Sequence, residues 1–135
     1  MTEFRTVTEY FSVSPQIGPE DVARAKAEGF VLLINNRPEG EESGQTSGAE
    51  IEALARAAGL DYVAIPILGG PTPIQARAQV QAAADAGGRV LAYCRSGTRS
   101  INTWALGEAL TEAQTRVELI RLGAMAGYDL RPLLG

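Results

Sequence analysis

Apolar and polar positions along this chain fall into blocks of two kinds, short continuous apolar runs and longer segments with helical spacing. Phe30–Val31–Leu32–Leu33–Ile34–Asn35 is one such run and Arg89–Val90–Leu91–Ala92–Tyr93 another, the pattern of strands covered on both faces. A shorter strand is expected near Tyr10–Val13 and a further core strand over Asp61–Ile65. Gly18–Pro19–Glu20–Asp21 puts proline and two acids in the first turn of a helix that runs to about Glu28 and stops at Gly29. Ser47 with Glu50 has the spacing of a capping box for a helix reaching Ala58 before Gly59, and Thr72–Pro73 opens another that ends by Gly87–Gly88. A helix from about Ser100 to Leu110, a helical tail through Gly127 and a short last turn over Asp129–Leu134 complete the chain. Strand and helix alternate throughout. The expected fold is therefore a single-domain, three-layer α/β arrangement over residues 1–135, with a mostly parallel central sheet.

In open α/β sheets ligands bind beyond the carboxyl ends of the strands, so the loops Asn35–Glu42, Pro66–Pro71 and Cys94–Ser100 should converge on one pocket. The third of these carries the only cysteine of the chain. A lone cysteine is commonly a small buried hydrophobe. Here an apolar strand leads into it, but Arg95, Ser96, Gly97, Thr98 and Arg99 follow, so Cys94 stands at a polar edge. A strand–loop–helix turn aims backbone N–H groups and the positive end of a helix at the loop, which suits a thiol that reacts as the thiolate.

Composition narrows the chemistry. The 135 residues carry a net charge of -4, and the 12 Lys and Arg form no basic run, which argues against a nucleic-acid surface. No apolar stretch of about 18 residues is present to suggest a membrane span. The start Met1–Thr2–Glu3–Phe4–Arg5 lacks the layout of a signal peptide, so a cytoplasmic location is expected. Histidine is absent, which removes Ser-His-Asp and Cys-His catalysis and most zinc sites, and no metal or cofactor is expected. A nucleophile here has to be activated by fields and hydrogen bonds.

The segments Val13–Ser14–Pro15–Gln16–Ile17, Ile34–Asn35–Asn36–Arg37–Pro38–Glu39–Gly40–Glu41–Glu42, Tyr62 with Ile65–Pro66, Leu91 through Ser100, and Trp104–Ala105–Leu106 together resemble a bacterial family related to protein-tyrosine phosphatases. This is the phosphatase-like domain of β-lactamase hydrolase-like proteins. The resemblance covers roughly Phe11 to Pro132. It implies a cysteine-phosphatase fold, and the family is described both as phosphatases and as sulfur transferases. Members occur alone or ahead of a metallo-β-lactamase-like persulfide dioxygenase domain, which implies such an enzyme as a functional partner.

Two features of the sequence weigh these activities. Cysteine phosphatases place five residues between cysteine and arginine, whereas four, Arg95 to Thr98, separate Cys94 from Arg99. The letters Cys-Arg-Ser-Gly-x-Arg match the loop of rhodaneses, which cradles one terminal sulfur. Phosphatases also protonate the leaving oxygen with an aspartic acid, a step worth roughly 10²–10⁴ in rate. The loop Pro66–Ile67–Leu68–Gly69–Gly70–Pro71 contains no carboxylate, and Asp61 lies at the other end of its strand. Sulfite and thiolates leave as stable anions and need no acid.

The expected function is thus sulfur transfer through a Cys94 persulfide, from thiosulfate or a low-molecular-weight persulfide to a thiol or cyanide. A cysteine-dependent phosphatase is the alternative, and a non-catalytic anion-binding or sulfide-sensing module a further one. Cys94 is expected as nucleophile and Arg99 as the cation that orients the anionic donor. Arg95 is expected either to bind donor or to stand exposed, Ser96, Thr98 and Ser100 to supply hydroxyls, and Ser100 to cap the following helix. Gly97 should permit close backbone approach. Arg37 could reach the pocket but reads more simply as a surface arginine, and Glu39, Glu41 or Glu42 could substitute for the missing acid from the neighbouring loop but read more simply as solvated surface. Trp104 is expected in the core.

Overall fold

The computed structural model describes residues 2–135. Its elements follow the order β1 (Arg5–Thr8), β2 (Phe11–Ser14), α1 (Pro19–Ala27), β3 (Phe30–Asn35), α2 (Gly48–Ala57), β4 (Asp61–Ala64), α3 (Pro73–Asp85), β5 (Arg89–Tyr93), α4 (Thr98–Leu110), α5 (Arg116–Ala126) and α6 (Arg131–Leu134). The strands form one sheet in the order β1-β2-β5-β3-β4. Only β1 runs antiparallel to its neighbour, so the sheet is mostly parallel as expected.

The continuous apolar runs are explained by burial on two sides, because side chains alternate between faces with period two. Leu32, Ile34, Val90 and Ala92 join Val13, Ile101, Trp104, Leu119 and Leu130 in a core under α4 and α5. Leu33, Leu91 and Tyr93 join Val22, Ala25, Ile51 and Ala55 in a second core under α1 and α2. Trp104 is buried as expected, its ring stacked on Phe11 at 5.5 Å between centroids.

Helix starts follow their caps. The Ser47 hydroxyl accepts from the Glu50 N–H at 3.1 Å. Thr72 accepts from the Gln75 N–H at 3.2 Å while the Gln75 side chain accepts from the Thr72 N–H at 3.0 Å, a reciprocal box. Two boundaries differ from expectation. The strand β1 was not foreseen; only Val7 of its four residues is buried, so its polar pattern does not register as a strand. The helix α4 begins at Thr98 rather than Ser100, because Gly97, in the left-handed region at φ +90°, turns the chain into it.

Parallel register brings the strand ends level. Tyr93 at the end of β5 lies opposite Ser14 on one side and Asn35 on the other, and Asn35 lies opposite Ala64. The loops that leave these four residues start from one edge. Behind them α3 and α4 pack at Gly107, where a Cβ would stand 2.3 Å from Val80 Cγ2 and 2.6 Å from the Ala76 carbonyl. Gly107→Ala gains about 1 kcal/mol of helix propensity. It should nonetheless lower stability in urea by about 1–3 kcal/mol net through overpacking. A raised urea midpoint would show that the two helices separate freely.

Candidate active site

Cys94 follows directly on β5 and is 1% exposed. The Gly97 N–H donates to its Sγ at 3.1 Å, so the loop already aims one backbone donor at the sulfur. The group that comes close to Gly97 is a side chain, where backbone approach was expected. A Cβ there would lie 2.2 Å from the Tyr128 hydroxyl oxygen. The hydroxyls of Ser96 and Thr98 lie on the exposed side and bond each other at 3.0 Å. Ser100 does not cap the helix, which starts two residues earlier on Gly97. Its hydroxyl is instead fully buried with no hydrogen-bond partner among the described residues.

Arg99 projects to the second loop. Its Nη1 and Nη2 donate to the two carboxylate oxygens of Glu41 at 2.6 and 2.8 Å, and Nη1 also donates to the Ile67 carbonyl at 3.1 Å. These contacts join all three expected loops. Arg37 is not a surface arginine. It is 3% exposed, with Nε donating to Glu41 at 2.8 Å, Nη2 to Glu42 at 3.0 Å and Nη1 to the Gln16 side chain at 3.0 Å. Glu41 is accordingly not a solvated surface residue, since two guanidinium groups hold it. Glu42 binds Arg37 and lies 4.0 Å from the exposed Arg95. Glu39 turns away and accepts the Gly48 N–H at the start of α2.

The electrostatics follow from these pairs. Hydrogen bonding from Arg99, opposed by burial and reinforced by Arg37, lowers the Glu41 carboxyl from 4.5 to about 2. The Glu41 bond in turn raises the Arg99 guanidinium, with burial opposing and Cys94 adding a favourable field. Glu41 is therefore an anion at neutral pH and no proton donor. The loop from Pro66 to Pro71 offers no carboxylate to replace it.

Beneath the loops lies a buried polar network that sequence reading missed. Asn36 donates from its backbone to the Tyr93 carbonyl at 2.8 Å and from its side chain to Ile65 at 2.9 Å and Gln79 at 2.7 Å. Gln79, on α3 and fully buried, donates to the Ser100 carbonyl at 3.2 Å. The signal for Gln79 was its position three residues from buried Ala76 on the inner face of a helix. Gln16 and Tyr128 carry no comparable local signal.

Because the Glu41 pKa is lower folded than unfolded, its ion pair stabilises the fold fully above the ordinary carboxylate value of 4.5, and that stabilisation is lost as pH falls toward about 2. Glu41→Gln should be less stable than wild type at neutral pH and show a flatter acid limb, the two curves converging at the lowest pH. Urea midpoints measured between pH 7 and about 2 test this. Parallel curves would mean that the pair contributes nothing.

The model of the β-lactamase hydrolase-like protein, phosphatase-like domain, matches residues 3–111. The β-lactamase hydrolase-like protein of Agrobacterium fabrum C58 is 39% identical over 126 residues, which is 92% of this chain and 29% of that protein. The chain thus spans under a third of the length of that relative. A crystal structure from Neisseria meningitidis Z2491, provisionally described as a phosphatase, superposes with TM-score 0.84 and 28% identity over 96% of this chain and 92% of that one. Kinase associated phosphatase, in a form with its catalytic site cysteine changed to serine, shares the fold at TM-score 0.68 and 14% identity over 90% and 80% of the two chains. These findings bear out the cysteine-phosphatase fold, and their descriptions fit the phosphatase alternative better than the sulfur-transfer reading. Among the described residues no helix is long and apolar enough to cross a membrane. By its match over most of its length, the chain belongs to the family of phosphatase-like domains of β-lactamase hydrolase-like proteins.

Proposed function

We propose that this domain is a cysteine-dependent sulfurtransferase, with Cys94 as nucleophile and sulfur carrier. The observation that carries the reading is the state of Glu41, the carboxylate facing the loop, which two arginines hold ionised. A phosphate ester with an alkoxide leaving group needs a proton from such a position. A thiosulfonate or persulfide does not. The four-residue interval from Cys94 to Arg99 supports the same conclusion, since the shorter loop suits one sulfur atom.

In the first step the Cys94 thiolate attacks the outer sulfur of thiosulfate. The Sγ–S bond forms, the donor S–S bond breaks, and sulfite leaves with the bonding pair. In the second, cyanide or a thiolate attacks the outer sulfur of the Cys94 persulfide, and the Cys94 thiolate is released. Electrons and charge balance in both. The Gly97 N–H stabilises the thiolate at Cys94 Sγ and Arg99 fixes the loop through Glu41 and Ile67, while Arg95, from its exposed position, draws anionic donors toward the loop. The partners are a small anionic sulfur donor and a thiol acceptor. A persulfide dioxygenase fits as the enzyme that consumes the product, and the site needs no cofactor.

Phosphatase activity is the second reading. The family description and the fold favour it, and aryl phosphates, whose phenolate leaves more easily, are the esters this site could cleave. A non-catalytic module would hold an anion or a persulfide without turnover. Incubation with thiosulfate and cyanide should yield thiocyanate, and Cys94→Ser should abolish it. Arg99→Lys should lower the rate by about 10²-fold through loss of the bidentate hold on Glu41 that positions the loop. Hydrolysis of p-nitrophenyl phosphate, run in parallel, should be slow. Robust hydrolysis lost in Cys94→Ser, with no thiocyanate formed, would establish the phosphatase instead. Persulfide mass on Cys94 without turnover would establish the module.

A further inference from the structure

The peptide unit between Ser96 and Gly97 has two occupied ends. Its N–H, from Gly97, donates to Cys94 Sγ at 3.1 Å, and its carbonyl, from Ser96, accepts the Tyr128 hydroxyl at 2.9 Å. Tyr128 lies after α5, outside the residues 3–111 that match the family. From this geometry we infer that Tyr128 is a positioning residue, a latch that holds the Ser96–Gly97 peptide with its N–H facing the sulfur.

The need for a latch comes from Gly97. Glycine visits both signs of φ with little cost, so the peptide preceding it can rotate and present its carbonyl oxygen to the sulfur instead. A carbonyl dipole there would repel a thiolate or a persulfide anion. The Tyr128 hydroxyl binds the carbonyl on the outer side, and its oxygen would stand 2.2 Å from a Cβ at position 97, so the glycine and the tyrosine fit as a pair. The chain O–H to O=C and N–H to S also polarises along its length, which strengthens the bond to sulfur.

Tyr128 is itself well anchored. Its backbone N–H donates to the Gly123 carbonyl at 2.8 Å, and the Arg5 guanidinium sits 5.4 Å from its ring centre. Burial raises its phenol above the ordinary tyrosine value, so it stays a donor at neutral pH.

This inference rests on Cys94 being the nucleophile, and its test reads the thiol directly. Cys94 is the only cysteine, so iodoacetamide reports on it alone. Tyr128→Phe keeps the ring and removes the hydroxyl. Alkylation at pH 7 should slow by about threefold to tenfold, the worth of one hydrogen bond. Thiocyanate formation should fall by a similar factor. Amide exchange at Gly97 in the folded protein should quicken in the variant, which keeps the test readable if overall stability drops. Equal alkylation at pH 7 with unchanged Gly97 exchange would overturn the inference. Slowed alkylation with unchanged Gly97 exchange would overturn it as well, since the hydroxyl would then govern only access to the sulfur. A wild type that alkylates normally yet forms no thiocyanate would overturn the sulfur-transfer reading and leave the latch standing.

Discussion

A loop that turns its N–H groups inward to hold an anion must turn carbonyl groups outward, and each of those needs a donor elsewhere. Much of the structure around Cys94 answers that requirement. The Arg95 carbonyl accepts from the Gln16 N–H at 3.3 Å, Ser96 from Tyr128 at 2.9 Å, Gly97 from the Ile101 N–H at 3.0 Å, Arg99 from the Thr103 hydroxyl at 2.7 Å and Ser100 from Gln79 at 3.2 Å. The donors come from the loop after β2, from α3, from α4 itself and from the segment after α5. The loop is thus held from outside by elements scattered along the whole chain.

The parallel sheet sets those elements in place. Because Ser14, Asn35 and Tyr93 end their strands at one level, the side chains that follow them meet at one edge of the sheet. Arg37 then joins the loops from below. It is buried with its donors divided among Gln16, Glu41 and Glu42, and Glu41 passes the constraint on to Arg99. A buried cation of this kind is tolerated only when its donors are satisfied. Here its partners are the residues that orient the site.

Most of the architecture was legible in the chain because burial on two faces writes continuous apolar runs, and caps such as Ser47 and Thr72 mark helix starts. What was not legible depends on tertiary contact. Arg37 and Glu41 sit four apart in an irregular loop, where helix spacing rules say nothing, so their pairing looked like scattered surface charge. Ser100 reads as a cap in one dimension, but Gly97 adopts a backbone that moves the helix start upstream. Tyr128 reaches its partner across 32 residues, and no local pattern announces that.

One property of the site has a kinetic meaning. Cys94 is the sole thiol of this chain and is nearly inaccessible, so a sulfur atom bound to it has no neighbouring cysteine with which to close a disulfide. Under the proposed sulfur transfer, the lifetime of a loaded Cys94 would be set by the arrival of an external acceptor slender enough to reach a buried thiol, and release would be timed by the surroundings of the domain.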